Sequence, residues 1–259
     1  MKRKTIGFIG GGRITSIFLH AFANKKMDFN SVIVCDPNKE KLLDLKKSYL
    51  KINITDNPEI AAKQDIIFIA THPPVIMDLL QKIAPHITTG TWIVSLAPKI
   101  SIHEISSVLQ TRNIARMIPN ASSYLNEGYN PVTYHPDFDG ELCNQLKDIF
   151  CLLGNAVEVE EAKLEAFAVV SAMLPTYFWF QWLELEKMGV EMGLTKEESK
   201  KAIRNSLIPA IHLMYDNDLS YEQVVDLIPV KPLAGFETEF TNMYRSSLLS
   251  VFEKIKPKI

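Results

Sequence analysis

What this chain lacks narrows it first. Cysteine is scarce: Cys35, Cys143 and Cys151 are odd in number and show no metal-ligand spacing. A disulfide-stapled scaffold and a cysteine zinc site are thereby excluded, and reduced thiols in a cytoplasm are expected. An excess of one charge is missing too. Residues 1–160 hold 17 basic and 16 acidic side chains, the remainder 11 and 14, for a net charge of −2. Nothing in that balance supplies the basic face a phosphate backbone needs, so nucleic acid is not an expected partner. His20, His86, His103, His135 and His212 have no ligand spacing, and no metal is expected. Asp216 and Asp218 read as a turn rather than an acid–base pair.

Long apolar runs are nearly absent. Met1-Lys2-Arg3-Lys4 resembles the start of a secretory signal, but the apolar stretch after it breaks at glycines within five or six residues and reads as a strand. Asn53-Ile54-Thr55 and Asn120-Ala121-Ser122 then match the glycosylation pattern by chance. The exception is 166–183 (AFAVVSAMLPTYFWFQWL), uncharged over 18 residues. That is the lower limit for a membrane span. Pro175 and Gln181 interrupt it, and Glu184 and Glu186 follow at once. A helix buried at a subunit interface is the expectation, with no membrane.

What is present begins with Thr5 to Thr15 (TIGFIGGGRIT): a short apolar strand, the turn Gly10-Gly11-Gly12, then a helical stretch. Such a turn places backbone N–H groups and a positive helix end where a dinucleotide pyrophosphate can sit. Thr15 stands where the fingerprint has its third glycine. A second apolar strand, SVIVC, ends at Asp36, 24 residues after Gly12, where an acid can accept hydrogen bonds from a ribose. Asp36 favours NAD over NADP, with Lys39 and Lys41 close by. The alternative is a turn serving only strand–helix packing, with Asp36 capping the helix that begins near Asn38.

The first 160 residues alternate. Strands are expected over 6–9, 32–35, 65–70, 91–95, 113–117, 132–134 and 156–159, and helices over 13–23, 39–49, 58–62, 75–83, 102–109 and 140–153. Near-continuous apolar strands such as IIFIA and WIVSL fit a sheet covered on both faces. The expected class is α/β, a doubly wound, mostly parallel sheet. After Glu160 strand signal fades. Residues 161–188 read as one helix kinked or divided at Pro175, and Thr195-Lys196-Glu197-Glu198 is a capping box opening a helix to about Tyr215. Two more helices are expected over 220–227 and 238–254. The domains are thus 1–160 and 161–259, the second all-α.

Several spaced motifs resemble pyrroline-5-carboxylate reductase over essentially the full length. Gly7-Phe8-Ile9-Gly10-Gly11-Gly12 matches its opening turn, and Thr71-His72-Pro73 stands where it has Val-Lys-Pro. Arg116-Met117-Ile118-Pro119-Asn120 is similar to Arg-Val-Met-Pro-Asn, with Glu127-Gly128 following. Glu161, Pro175 and Tyr177 fall on its acid and Gly-Ser-Gly-Pro-Ala-Tyr, and Gly189 to Leu194 match Gly-Val-Lys-Met-Gly-Leu.

The resemblance implies a Rossmann domain, a helical dimerisation domain interlocking with a second subunit, and a nicotinamide coenzyme (NAD or NADP) delivering hydride to a cyclic imine carbon. By position, Gly10, Gly11, Gly12, Arg13 and Ile14 line the pyrophosphate, and Asp36 and Asn57 lie near the adenosine. Ala70, Thr71, His72, Pro73, Ser95 and Ala97 border the ribose–nicotinamide half, and Asn120 faces the reacting centre.

Departures gather around the substrate. Ala172-Met173-Leu174 replace Gly-Ser-Gly, and Lys99 replaces a glycine. Leu227-Ile228-Pro229-Val230-Lys231-Pro232 replace the substrate loop Thr-Ser-Pro-Gly-Gly-Thr-Thr, with a loss of hydroxyl and N–H donors. Lys231 is the candidate that could pair with an acidic substrate or donate a proton. The expected function is imine or amine oxidoreduction on an altered small-molecule, amino-acid-like substrate. The rivals are a β-hydroxyacid-type dehydrogenase, whose interdomain helix with a catalytic lysine has no counterpart over 161–188, and a non-catalytic dinucleotide-binding dimer acting as sensor or scaffold.

Overall fold

The computed structural model describes residues 4–257; Met1 to Arg3 of the signal-like start lie outside them. The chain divides into two compact units. One runs through Ala172 and takes in the chain from Val251 on; the other is Met173–Ser250.

The first unit is built on an eight-stranded sheet of order β3-β2-β1-β4-β5-β6-β7-β8. Its strands are β1 (Thr5–Ile9), β2 (Ser31–Cys35), β3 (Asn53–Thr55), β4 (Ile66–Ile69), β5 (Trp92–Ser95), β6 (Ile114–Met117), β7 (Gly128–Tyr134) and β8 (Gly154–Glu158). The pairs are parallel except β6–β7. The helices are α1 (Arg13–Asn24), α2 (Lys39–Ser48), α3 (Pro58–Ala61), α4 (Ile76–Ile83), α5 (Ile102–Val108), α6 (Gly140–Cys151) and the short α7 (Leu164–Phe167).

Alternation along each strand feeds two cores, one on each sheet face. Ile66 and Phe68 pack with Phe18, Phe22, Leu45 and Phe150, whereas Ile67 and Ile69 pack with Ile76, Leu80, Ile83 and Ile105. This is the reason those strands read as unbroken apolar runs. β3 was not expected: Asn53-Ile54-Thr55 is a short polar edge strand with too little apolar length to signal itself.

Beyond β8, 161–188 is not one helix. A 3-10 turn (Glu161–Lys163), α7 and a π turn (Ala168–Ala172) precede α8 (Leu174–Glu191), whose first turn holds Pro175. Proline lacks the N–H an interior turn needs, and the first turn is where that loss is harmless. The second unit adds α9 (Lys196–Tyr215), α10 (Tyr221–Asp226) and α11 (Glu237–Ile255). Thr195 and Glu198 form the capping box in both directions.

Candidate functional site

The strand order reverses beside β1, between β2 and β4, and open α/β sheets bind ligands in the crevice at such a point. Gly10 lies there at φ 112°, donating to the Cys35 carbonyl at 2.8 Å. A Cβ on it would stand 2.4 Å from the Ala70 carbonyl oxygen, so only glycine fits both the angle and the space. Gly12 is the N-cap of α1, with no side chain capping it, and a Cβ there would meet nothing within 4 Å. The N–H groups of the first helical turn therefore open onto empty space, which suits an anion. Thr15, fully buried, donates its hydroxyl to the Gly10 carbonyl. A threonine replaces the third glycine because it fastens the turn from below.

Asp36 accepts from the Gly11 N–H with one oxygen and from the Asn38 N–H with the other, both at 2.8 Å. It is not the cap of α2; Asn38 takes that place, accepting from the Lys41 N–H. The Gly11 N–H is thus spent on Asp36, and the turn's remaining donors lie at Gly12, Arg13 and Ile14. Burial, with the Asp36 charge beside it, pushes the Cys35 thiol up to about 11. Asn57 caps α3, its side-chain oxygen accepting from the Glu59 N–H at 3.0 Å.

Past β4, the Ala70 N–H donates to Ile9 at 2.8 Å, and exposed His72 opens a 3-10 turn whose first residue is Pro73. Thr71 Oγ1 and Ser95 Oγ are buried without a hydrogen-bond partner among the described residues, and Ala97 is buried just beyond. Buried hydroxyls are seldom left unpaired, so a polar ligand is expected above them. An open N-terminal turn, a carboxylate at the end of β2 and orphaned hydroxyls at β4 and β5 together fit a dinucleotide.

The sequence left one part of the site unread. Arg116 on β6 is 1% exposed and pairs with both Glu161 (2.8 Å) and Glu165. Glu161 also accepts from the Ile102 N–H at 2.7 Å, and Glu165 from the Lys99 N–H at 3.3 Å. Two carboxylates on one guanidinium leave the cluster one negative charge in excess. Glu165 was missed, although an acid four residues after Glu161 opposite an arginine inside an apolar strand was the available signal.

Asn120, 6% exposed, accepts from the Ser122 N–H with its side-chain oxygen, and its Nδ2 lies 3.5 Å from the Ser171 carbonyl. Its side chain caps a turn at the end of β6, as well as standing where the resemblance puts the reacting centre.

In the second unit Lys231 lies in an exposed loop with Leu227, Ile228 and Val230. Tyr177 packs edge-on against Tyr244, beside a groove of about 550 Å³ between α8 and α11. Burial raises the Tyr177 phenol. Among the described residues no cluster of histidine, cysteine and carboxylate side chains could hold a metal ion.

Residues 5–99 match a family model described as NADP oxidoreductase, coenzyme F420-dependent. Pyrroline-5-carboxylate reductase of Staphylococcus aureus (strain COL) is 25% identical over 95% of this chain and 92% of its own length. That of Corynebacterium melassecola is 28% identical over 76% and 74%. The NADP-bound pyrroline carboxylate reductase of Plasmodium falciparum superposes with a TM-score of 0.81 at 22% identity, covering 99% of this chain and 98% of that one. In sequence the chain is thus similar to pyrroline-5-carboxylate reductases over nearly its full length, and it shares the fold of the Plasmodium enzyme.

Proposed function

We propose that the protein is an NAD(P)-dependent oxidoreductase of the pyrroline-5-carboxylate reductase type, acting on a C=N bond or its amine product. The uncapped start of α1 with open space at Gly12, set where the strand order reverses, carries this reading. A bound nicotinamide coenzyme supplies or accepts the hydride. The N–H groups of Gly12, Arg13 and Ile14 hold the pyrophosphate, and Gly10 and Gly11 shape its approach. Asp36 and Asn57 flank the adenosine; Thr71, Ser95 and Ala97, with Ala70, His72 and Pro73, border the nicotinamide half. A protonated imine carbon is already electrophilic, so orientation provides most of what the protein must add. Asn120 positions the reacting centre.

Three finer assignments go with this. NADH is the better ligand, because the Asp36 carboxylate repels a 2′-phosphate, although the Plasmodium relative was solved with NADP. The helices of the second unit pair with those of a second copy: Trp179, Phe180 and Leu183 are 50%, 66% and 53% exposed, too much apolar surface for water. The stretch Glu161–Glu191 is long and apolar enough to cross a membrane. Its start, however, holds Glu165, buried and paired with Arg116 on the sheet, which argues against a membrane span; a cytoplasmic location goes with the proposal.

Titration with NADH and NADPH, followed by a screen of cyclic imines for coenzyme oxidation, tests the proposal. Turnover with tighter NADH binding is expected. Failure to bind either coenzyme overturns it, and tight binding without turnover on any imine supports the sensor instead.

A further inference from the structure

Three described residues other than glycine have positive φ: Lys26, Lys99 and Asn126. Lys26 follows the end of α1 and Asn126 closes the turn over Ala121–Leu125, where a left-handed residue terminates a helix. Lys99, at φ 78°, terminates nothing. It stands four residues past the end of β5, in a conformation that strains any residue with a Cβ.

The neighbourhood holds it there. The Lys99 N–H is fixed by Glu165 and the Ile102 N–H by Glu161, and the Arg116 guanidinium clamps both acids beneath the loop. Strain of this kind persists where the surroundings over-determine the backbone, and it gathers at ligand sites. The site is the carboxyl end of the sheet. β5 pairs with β4 at Ile69 and Ser95, and β4 with β1 at Ile9 and Ile69. Two strand spacings put β5 about 10 Å from the glycine turn. Lys99 follows β5, the strand whose end the proposed function assigns to the nicotinamide half. Its side chain is exposed, and its ammonium has no ion-pair partner among the described residues.

We infer that Lys99 is a specificity-determining residue that recognises an anionic group, a carboxylate, on the imine or amine substrate. The inference rests on the oxidoreductase reading and deepens it. In the loop at 227–232, Leu227, Ile228, Pro229 and Val230 offer such a group no side-chain donor, and Lys231 is its one charge. A lysine held at β5 is a replacement point charge. Glu161, Glu165 and Arg116 are positioning residues, acting on substrate only through the Lys99 backbone.

The test is calorimetry of the NADH-loaded protein with pyrrolidine-2-carboxylate and with its neutral carboxamide. Lys99→Gln keeps the strained backbone and removes only the charge. It should weaken carboxylate binding about tenfold or more while carboxamide and NADH binding stay as in the wild type. Lys99→Arg should retain the preference. Lys99→Gly should lose it yet melt at a higher temperature, because glycine relieves the strain; a purely structural lysine would not separate the two effects. A wild type without preference for the carboxylate, or a Lys99→Gln protein with an unchanged carboxylate-to-carboxamide ratio, overturns the inference. A wild type that binds neither NADH nor NADPH overturns the oxidoreductase reading instead, so the two failures are distinct.

Discussion

The two units spend their apolar residues in opposite ways. Between the sheet and α1 to α6, side chains such as Phe8, Phe18, Phe68, Ile76, Leu80 and Phe150 are completely buried. In α8 and α9 the buried residues are Gly189 and Ser199, and α11 has none. Yet those helices carry Trp179, Phe180, Leu183, Ile211, Phe240 and Met243 at 40% exposure or more. A sheet with helices on both faces completes its own core. A row of helices with apolar residues all round does not, and needs a covering surface to be stable in water. The first unit therefore completes its own core, whereas the second leaves an apolar face exposed.

The contrast can be broken most forcefully at its most buried charge. Arg116→Met leaves Glu161 and Glu165 without their cation and should cost about 3–5 kcal/mol, read as a large fall in melting temperature. A stability close to wild type would show that the cluster does not hold the loop after β5. Next come the glycines. Gly10→Ala forces a Cβ to within 2.4 Å of a carbonyl at a positive φ and should destabilise the protein by about 1–3 kcal/mol. Gly12→Ala adds a Cβ with nothing within 4 Å, so it should leave the melting temperature in place and weaken NADH binding about tenfold or more. Equal coenzyme affinity in that variant would remove the crevice from the mechanism.

In the second unit, Phe180→Asp should shift sedimentation toward monomer without changing NADH affinity in the first. A distribution identical to wild type would leave the exposed face unexplained by self-association. The smallest effect belongs to Cys35. Its thiol is raised from 9.0 to about 11 in the fold, so below pH 9 both folded and unfolded chains keep the proton and nothing is lost. As pH climbs from 9 to 11 only the unfolded chain releases it, and stability falls. Cys35→Ala should flatten that alkaline slope; an unchanged slope would show the thiol is not shielded.

How far the site could be read beforehand depended on whether its signal was local. Gly10 and Gly12 were legible because a tight turn constrains residues in sequence order, and Asp36 because it ends a recognisable strand. Thr15 looked like a defect in the fingerprint; its role as a tie to the Gly10 carbonyl depends on which way a helical side chain points. Asp36 was expected at a ribose; what the structure shows is its carboxylate accepting from the Gly11 and Asn38 N–H groups, a role that only loop geometry reveals. Lys99 read as a departure from the family's glycine near the substrate, and its strained backbone stayed hidden, since φ is not written in a residue name.

By itself the sequence determined the alternation of strands and helices, the double-sided sheet, the glycine turn and the helical second half. Each of these follows from periodicity or from the steric freedom of single residues. The tertiary structure decided the rest: the pairing of β3 at the sheet edge, the π turn ahead of Pro175, and the Arg116 clamp on two glutamates that holds Lys99 in a strained turn. β3 pairs with a strand 20 positions away, the clamp joins residues 45 and 49 apart, and the Lys99 turn rests on a backbone angle, none of which leaves a mark on neighbouring letters.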